Sequence, residues 1–171
     1  MLISFGGLPG VGKSTISALL AERLGAVRLR VDVIEQALRD MGLPVNADEG
    51  YRVAHALALD NLKLGRTVIS DCVNPIAQSR EGWRLVAQHA PAAFVEVEIV
   101  CSNREEHKRR VETRVSDIPN LKLPDWIDVQ RREREPWTRE HLVFDSAKLK
   151  PEEIVDMLDW PLERARRAFE P

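Results

Sequence analysis

Cysteine is scarce: Cys72 and Cys101 are the only two in 171 residues, and neither forms a C-x-x-C pair or a Cys/His ligand spacing. That argues against a disulfide framework and a zinc site, and predicts both as buried, reduced residues of strands. Aromatic residues make up 5%, and the net charge is −2. The chain therefore lacks the overall positive potential and interleaved aromatics of a general nucleic-acid binder, and any polyanion must be held by a local cluster. No run nears the roughly 20 apolar residues that cross a bilayer, which argues against membrane insertion. No basic segment precedes the apolar residues 2–5, so a secretory signal is not expected and the predicted location is cytoplasmic. Repeats, low-complexity tracts and linkers are missing too. Residues 1–171 read as one domain, large enough to bury about 70% of its unfolded surface without staples. His55, His89, His107 and His141 show no metal spacing and no nucleophile partner.

What is present is a globular composition, 44% hydrophobic and 30% charged, laid out as short apolar runs alternating with helical patterns. Residues 2–5 read as a strand, and Ile16, Leu19, Leu20 and Leu24 recur at helical spacing up to Gly25. Residues 27–31 read as a second strand, followed by a helix carrying Ile34, Ala37, Leu38 and Met41, and another over 47–64. A β-branched run at 67–70 precedes Asn74 and Pro75, which suit a cap and first-turn proline for a helix to His89. The strand at 93–101 puts Val95, Val97 and Ile99 on one face and Glu96 and Glu98 on the other, where unpartnered carboxylates would be costly. Charged helices at 103–115 and 126–135, a strand at 142–144, and helices after Pro151 and Pro161 complete the pattern. Strands alternating with helices predict an α/β fold: a mostly parallel sheet covered on both faces.

The segment Gly7-Leu8-Pro9-Gly10-Val11-Gly12-Lys13-Ser14 satisfies G-x-x-x-x-G-K-[ST] between the first strand and first helix. Glycines at 7, 10 and 12 let the backbone curl round an anion with its N–H groups inward, and the following helix presents its positive end. In this reading Lys13 bridges the β- and γ-phosphates, Ser14 offers its hydroxyl to Mg²⁺ and Thr15 touches the α-phosphate. A random chain of this length would match on the order of once in a hundred. No N-K-x-D reads guanine, and the third strand ends Ile69-Ser70-Asp71-Cys72 without the Asp-Glu pair of strand-type ATPases. Those two absences weigh against a GTPase switch and a motor.

Taken in order, the cradle, Arg30-Val31-Asp32-Val33-Ile34, Val68-Ile69-Ser70-Asp71 with Asn74 and Arg80, Val100-Cys101 leading to Arg109-Arg110 and Arg114, and Glu135-Pro136-Trp137 resemble a family of small P-loop kinases. These are AAA-type kinases related to gluconate kinase, adenylylsulfate kinase and chloramphenicol phosphotransferase. Many relatives carry Tyr before the Glu-Pro-Trp triplet, where Arg134 stands here. The resemblance spans nearly the whole chain and implies a three-layer P-loop NTPase fold with five strands and a helical lid over about 103–139. It implies Asp32 and Asp71 flanking the γ-phosphate as general base or Mg²⁺-water ligand, and Arg110 and Arg114, with Arg131 and Arg134 as further candidates, closing on the nucleotide. Arg30, Arg39 and Arg80 are candidate acceptor contacts. For Asp32 a helix N-cap is the structural alternative. For the charged helix it is a solvated face of Glu105–Arg109 and Glu106–Arg110 pairs, and for Trp126 and Trp137 it is packing. The function expected is transfer of the γ-phosphoryl of Mg-ATP to a hydroxyl of a small-molecule acceptor. The alternatives are a polynucleotide 5'-hydroxyl kinase, with nucleic acid disfavoured by the composition, and a non-catalytic nucleotide- or partner-binding module.

Overall fold

A computed structural model describes residues 1–169. Strands β1 (Leu2–Gly6), β2 (Val27–Arg30), β3 (Val68–Asp71), β4 (Phe94–Val100) and β5 (Leu142–Asp145) form one sheet in the order β2-β3-β1-β4-β5, parallel throughout. Helices α1 (Lys13–Leu24), α2 (Val31–Asp40), α3 (Glu49–Lys63), α4 (Ala77–His89), α5 (Arg104–Thr113), α6 (Trp126–Arg131) and α7 (Pro151–Phe169) surround it. The connection after β1 runs to one side of the sheet and that after β3 to the other. A crevice opens between their carboxyl ends, where ligands of open α/β sheets bind.

Strand alternation makes two cores. Ile3, Phe5, Ile69, Val97 and Ile99 face Ile16 and Leu20 of α1 and Ile154, Leu158 and Leu162 of α7. Leu2 and Val68 face Ala54, Ala58 and Leu62 of α3 and Trp83 and Val86 of α4. Each fully buried aliphatic or aromatic side chain here contributes about 1.5–3 kcal/mol, so the two layers hold the sheet that carries the crevice. Towards the strands' carboxyl ends the second face turns polar. Ser4, Ser70 and Glu96 lie side by side in register, the Ser70 hydroxyl donates to Ser4 Oγ at 3.0 Å, and Asn74 Nδ2 donates to Ser4 Oγ at 3.0 Å and the Phe5 carbonyl at 2.9 Å.

Several expectations are corrected. Asn74 does not cap α4. It sits at φ 50 with its amide tied to the sheet end, and α4 begins at Ala77, whose N–H donates to the Glu135 carboxylate at 2.6 Å. A capping group supplied from 58 residues away has no local signature. α6 ends at Arg131 because residues 132–141 run back across α4, with Glu135 N–H donating to the Pro75 carbonyl at 2.8 Å. The two helices expected after Pro151 and Pro161 are one: α7 runs through Pro161, its buried Ile154, Val155, Leu158 and Leu162 outweighing the lost backbone bond. Cys72 is buried just past β3, and burial pushes its thiol up to about 12; Cys101, past β4, is only half-buried. Glu98 finds a partner in His141 Nε2 at 3.3 Å, while burial raises the Glu96 carboxyl above its usual range. Among the described residues no helix is long and apolar enough to cross a membrane.

Candidate functional site

The loop after β1 takes the shape its glycines allow. At Gly7, φ 132, a Cβ would run into the Ile99 carbonyl oxygen, so no other residue fits. At Gly10, φ 85, it would lie 2.5 Å from Val111 Cγ2 of α5. Val11 is buried beneath the loop, its N–H directed at the Leu8 carbonyl at 3.4 Å. Gly12 occupies the N-cap position of α1 with no side-chain cap, which leaves the first N–H groups of a twelve-residue helix facing the loop's concavity. The Ser14 and Thr15 side chains are exposed there.

Lys13 is 7% exposed, and its Nζ donates to the Leu8 carbonyl at 3.0 Å. Burial lowers its pKa, opposed by the attraction of Asp71 and Asp32 and reinforced by Arg114. A desolvated ammonium beside a second cation is stabilised by an anion between them. Arg114, at the C-cap of α5, supplies the sharper observation. Its Nε and Nη2 are buried with no hydrogen-bond partner among the described residues, and burial lowers its pKa against the pull of Asp32. Buried guanidinium N–H groups without acceptors are rare and costly. Planar N–H donors of this kind match phosphate oxygens.

Asp71 ends β3 at 5% exposure and its Oδ2 accepts from Arg28 Nη2 at 2.6 Å and Ser17 Oγ at 3.1 Å. Arg28 also donates to the Ser14 carbonyl at 2.8 Å and Ser17 Oγ at 2.9 Å, so it joins β2, β3 and the start of α1. Sequence reasoning passed over Arg28. Its signal was the Val27-Arg28-Leu29-Arg30 alternation, two arginines on one strand face. Arg30 donates to both Asp117 oxygens, at 2.6 and 2.8 Å, and its Nε lies 3.9 Å from Asp71. Arg30, not Asp32, occupies the N-cap position of α2. Asp32 is exposed in the first turn and makes no hydrogen bond or ion pair among the described residues, within electrostatic reach of Lys13, Arg30 and Arg114.

On α5, Arg110 donates to Glu106 at 2.7 Å, Ser146 Oγ at 3.0 Å and the Ser146 carbonyl at 3.1 Å, joining the helix to the segment after β5 that passes Gly12. Glu106 takes Arg109 as well, and the two guanidinium groups bring its carboxyl down to about 2. Arg39 pairs with Glu35 at 3.0 Å on exposed α2. Arg80 is 4% exposed, donates to the carbonyls of Asn74, Pro75, Glu135 and Pro136 at 3.0–3.4 Å, and lies 4.7 Å over the Trp137 ring. Arg80 fastens residues 132–141 to the sheet end. Trp137 packs against Gly6 and stacks on His141. Among the described residues no group of three His, Cys, Asp or Glu could cage a metal. Mg²⁺ at a phosphate cradle needs none, since it keeps waters and takes phosphate oxygens.

A glycine cradle at a helix N-terminus, beside the switch point of a parallel sheet and under a helix bearing arginines, defines the P-loop kinase class of nucleotide-binding fold. The chain belongs to the AAA domain family, whose pattern it matches over residues 2–136. No curated protein sequence matches the chain. Among solved structures it is similar to a gluconokinase from Sinorhizobium meliloti, at 20% identity and TM-score 0.67 over 97% of this chain and 93% of that one. It is similar to the Mycobacterium tuberculosis APS kinase in complex with AMPPNP and APS, at 20% identity and TM-score 0.68 over 92% and 96%. It also resembles Chaetomium thermophilum Kti12 in complex with ADP-AlF3, at 20% identity and TM-score 0.63 over 94% and 98%.

Proposed function

We propose that the chain transfers the γ-phosphoryl group of Mg-ATP to a hydroxyl of a small-molecule acceptor. The observation that carries this reading is Arg114: two buried guanidinium nitrogens without acceptors among the described residues, beside the buried Lys13 and above a helix N-terminus with no side-chain cap. An anion with several oxygens satisfies all three at once. The solved relatives that hold AMPPNP or ADP-AlF3 support a nucleotide as that anion.

In this reading the N–H groups of Gly10 and of residues 12–14, with the Lys13 side chain, hold the β- and γ-phosphates, and Thr15 touches the α-phosphate. Ser14, with Asp71 through water, would hold Mg²⁺, which supplies charge neutralisation at the phosphates. Arg114 and Arg110 balance the charge that spreads over the transferred group. The acceptor oxygen forms its bond to the γ-phosphorus as the bond to the β–γ bridging oxygen breaks, so ADP leaves and the acceptor proton goes to a carboxylate. Asp32, exposed and unpaired among the described residues, suits that proton better than Asp71, whose Oδ2 already accepts from Arg28 and Ser17. Arg39 borders the acceptor side on α2, and Arg80 acts by holding residues 132–141 in place. Together with Arg131 and Arg134, residues 103–139 serve as the lid, 1–171 as one domain, and the cytoplasm as the location.

The test is ADP release from Mg-ATP across a panel of sugars, sugar acids, nucleosides and a 5'-hydroxyl oligonucleotide, with Lys13→Ala as control. Stimulation by one small acceptor, abolished in Lys13→Ala, is the expected result. Nucleotide binding with no turnover on any acceptor would replace the kinase reading with a binding module.

A further inference from the structure

α5 carries His107, Arg110, Val111 and Arg114 at a spacing that places them on one face. His107 is 6% exposed, and its Nε2 lies 2.8 Å from the carbonyl oxygen of Pro9, inside the phosphate cradle. A carbonyl only accepts, so the imidazole carries its proton on Nε2. The ring is held from the other side by Trp126, the first residue of α6, edge-on at 5.1 Å between centroids. Next to the bonded carbonyl stands Gly10, over which Val111 Cγ2 and His107 Cδ2 close so tightly that a Cβ would lie 2.5 and 3.5 Å from them.

The peptide between Pro9 and Gly10 is trans. In a trans peptide the C=O and the next N–H point in opposite directions. With the Pro9 carbonyl turned towards α5, the Gly10 N–H points away from α5. Gly10, at φ 85, lies where glycine moves freely, so the peptide's orientation needs an external hold.

We propose that His107 is a positioning residue that fixes the Pro9–Gly10 peptide in the orientation that turns the Gly10 N–H to phosphate, and at the same time sets α5 at the height from which Arg110 and Arg114 reach it. This inference rests on the nucleotide reading above. The same bond serves both jobs because cradle and arginines meet at one residue. Burial, with Lys13, Arg110 and Arg114 close by, lowers the pKa of His107, so the ring stays neutral while it donates.

The experiment compares His107→Leu, which keeps apolar bulk against Gly10 and Trp126, with His107→Gln, whose side-chain amide can still donate. Kd for Mg-ADP and Mg-ATP, and the thermal midpoint, are measured for wild type and both variants. Loss of one neutral hydrogen bond to the cradle is expected to weaken both nucleotides about tenfold in His107→Leu, with His107→Gln within about threefold of wild type. Equal affinities in all three proteins, or equal losses in both variants, would overturn the proposal while leaving nucleotide binding intact. Absence of Mg-ATP binding by wild type would overturn the proposed function, and this inference with it. If His107→Leu does not fold, nitrogen-15 spectra of wild type decide. An Nε2-protonated ring and a Gly10 amide that shifts strongly on Mg-ADP addition are expected. An Nδ1 proton or an unmoved Gly10 amide refutes the assignment.

Discussion

Arg114→Met should make the nucleotide-free protein more stable and the enzyme much worse. Methionine keeps the apolar stem against its neighbours but removes the two buried nitrogens that have no acceptor among the described residues, Nε and Nη2. An unsatisfied buried polar group costs about 1–3 kcal/mol. Because the residue is only half-buried, the pair is worth the lower end, about 1–2 kcal/mol in total. In a domain of this size that raises the thermal midpoint by about 2–6 °C. With Mg-ATP the order should reverse. Saturation at a hundredfold excess over Kd adds about 2.7 kcal/mol to a protein that binds only when folded, and the variant forfeits part of that gain. Turnover should fall on the order of a hundredfold or more, as when one preorganised donor to developing charge is removed. Calorimetric scans of both proteins, with and without nucleotide, read all of this. A variant that is less stable than wild type without nucleotide, or that gains as much from Mg-ATP, would refute the reasoning.

Other perturbations separate the two acids, the strand arginine and two histidines, one buried and one half-buried. Asp32→Asn should lower kcat about a hundredfold or more with stability unchanged; an unaltered kcat removes it as proton acceptor. Asp71→Asn breaks the pair with Arg28 at 2.6 Å and should cost about 3 kcal/mol by urea unfolding, whereas a loss below about 1 kcal/mol would show the pair to be slack. Gly10→Ala forces a side chain into positive φ and against Val111, so it should weaken nucleotide binding, and Val111→Ala should recover part of that loss. Strict additivity of the two changes would contradict the packing of α5 on the cradle. Burial lowers the folded-state pKa of His55 and His107 below 6.5. The unfolded chain therefore takes up protons first as the pH falls. Stability should be full above about 6.5 and decline below it until the depressed folded values are passed. His55→Gln should flatten that slope in urea titrations, and an unchanged slope would remove His55 from the account.

Where structure depends on backbone geometry over a few residues, the sequence was legible. The cradle followed from glycines at 7, 10 and 12 between a strand and a helix, and the five strands and their parallel arrangement followed from alternating periodicities. What escaped depends on partners distant in the chain. Arg28 looks like any strand arginine until Asp71 arrives beside it from 43 residues on. Nothing near Arg80 in the sequence shows that residues 132–141 cross over α4 and present carbonyls to its guanidinium. Asn74 and Pro75 made a plausible cap, but hydrogen bonds to Ser4 and Phe5 across the sheet end compete for the same amide, and Glu135 takes over the helix terminus. Pro161 looks like a break because local propensity cannot weigh the buried side chains around it, three before and one after. His107 shows no role in the sequence, since its partner is a carbonyl 98 residues earlier.

The most direct trial of the account is titration calorimetry of the wild-type chain and Lys13→Ala with Mg-ATP. Saturable one-to-one binding by wild type, weakened at least tenfold in Lys13→Ala, is predicted. A folded wild-type chain that takes up neither ATP nor any other nucleoside triphosphate in the presence of Mg²⁺ would contradict it.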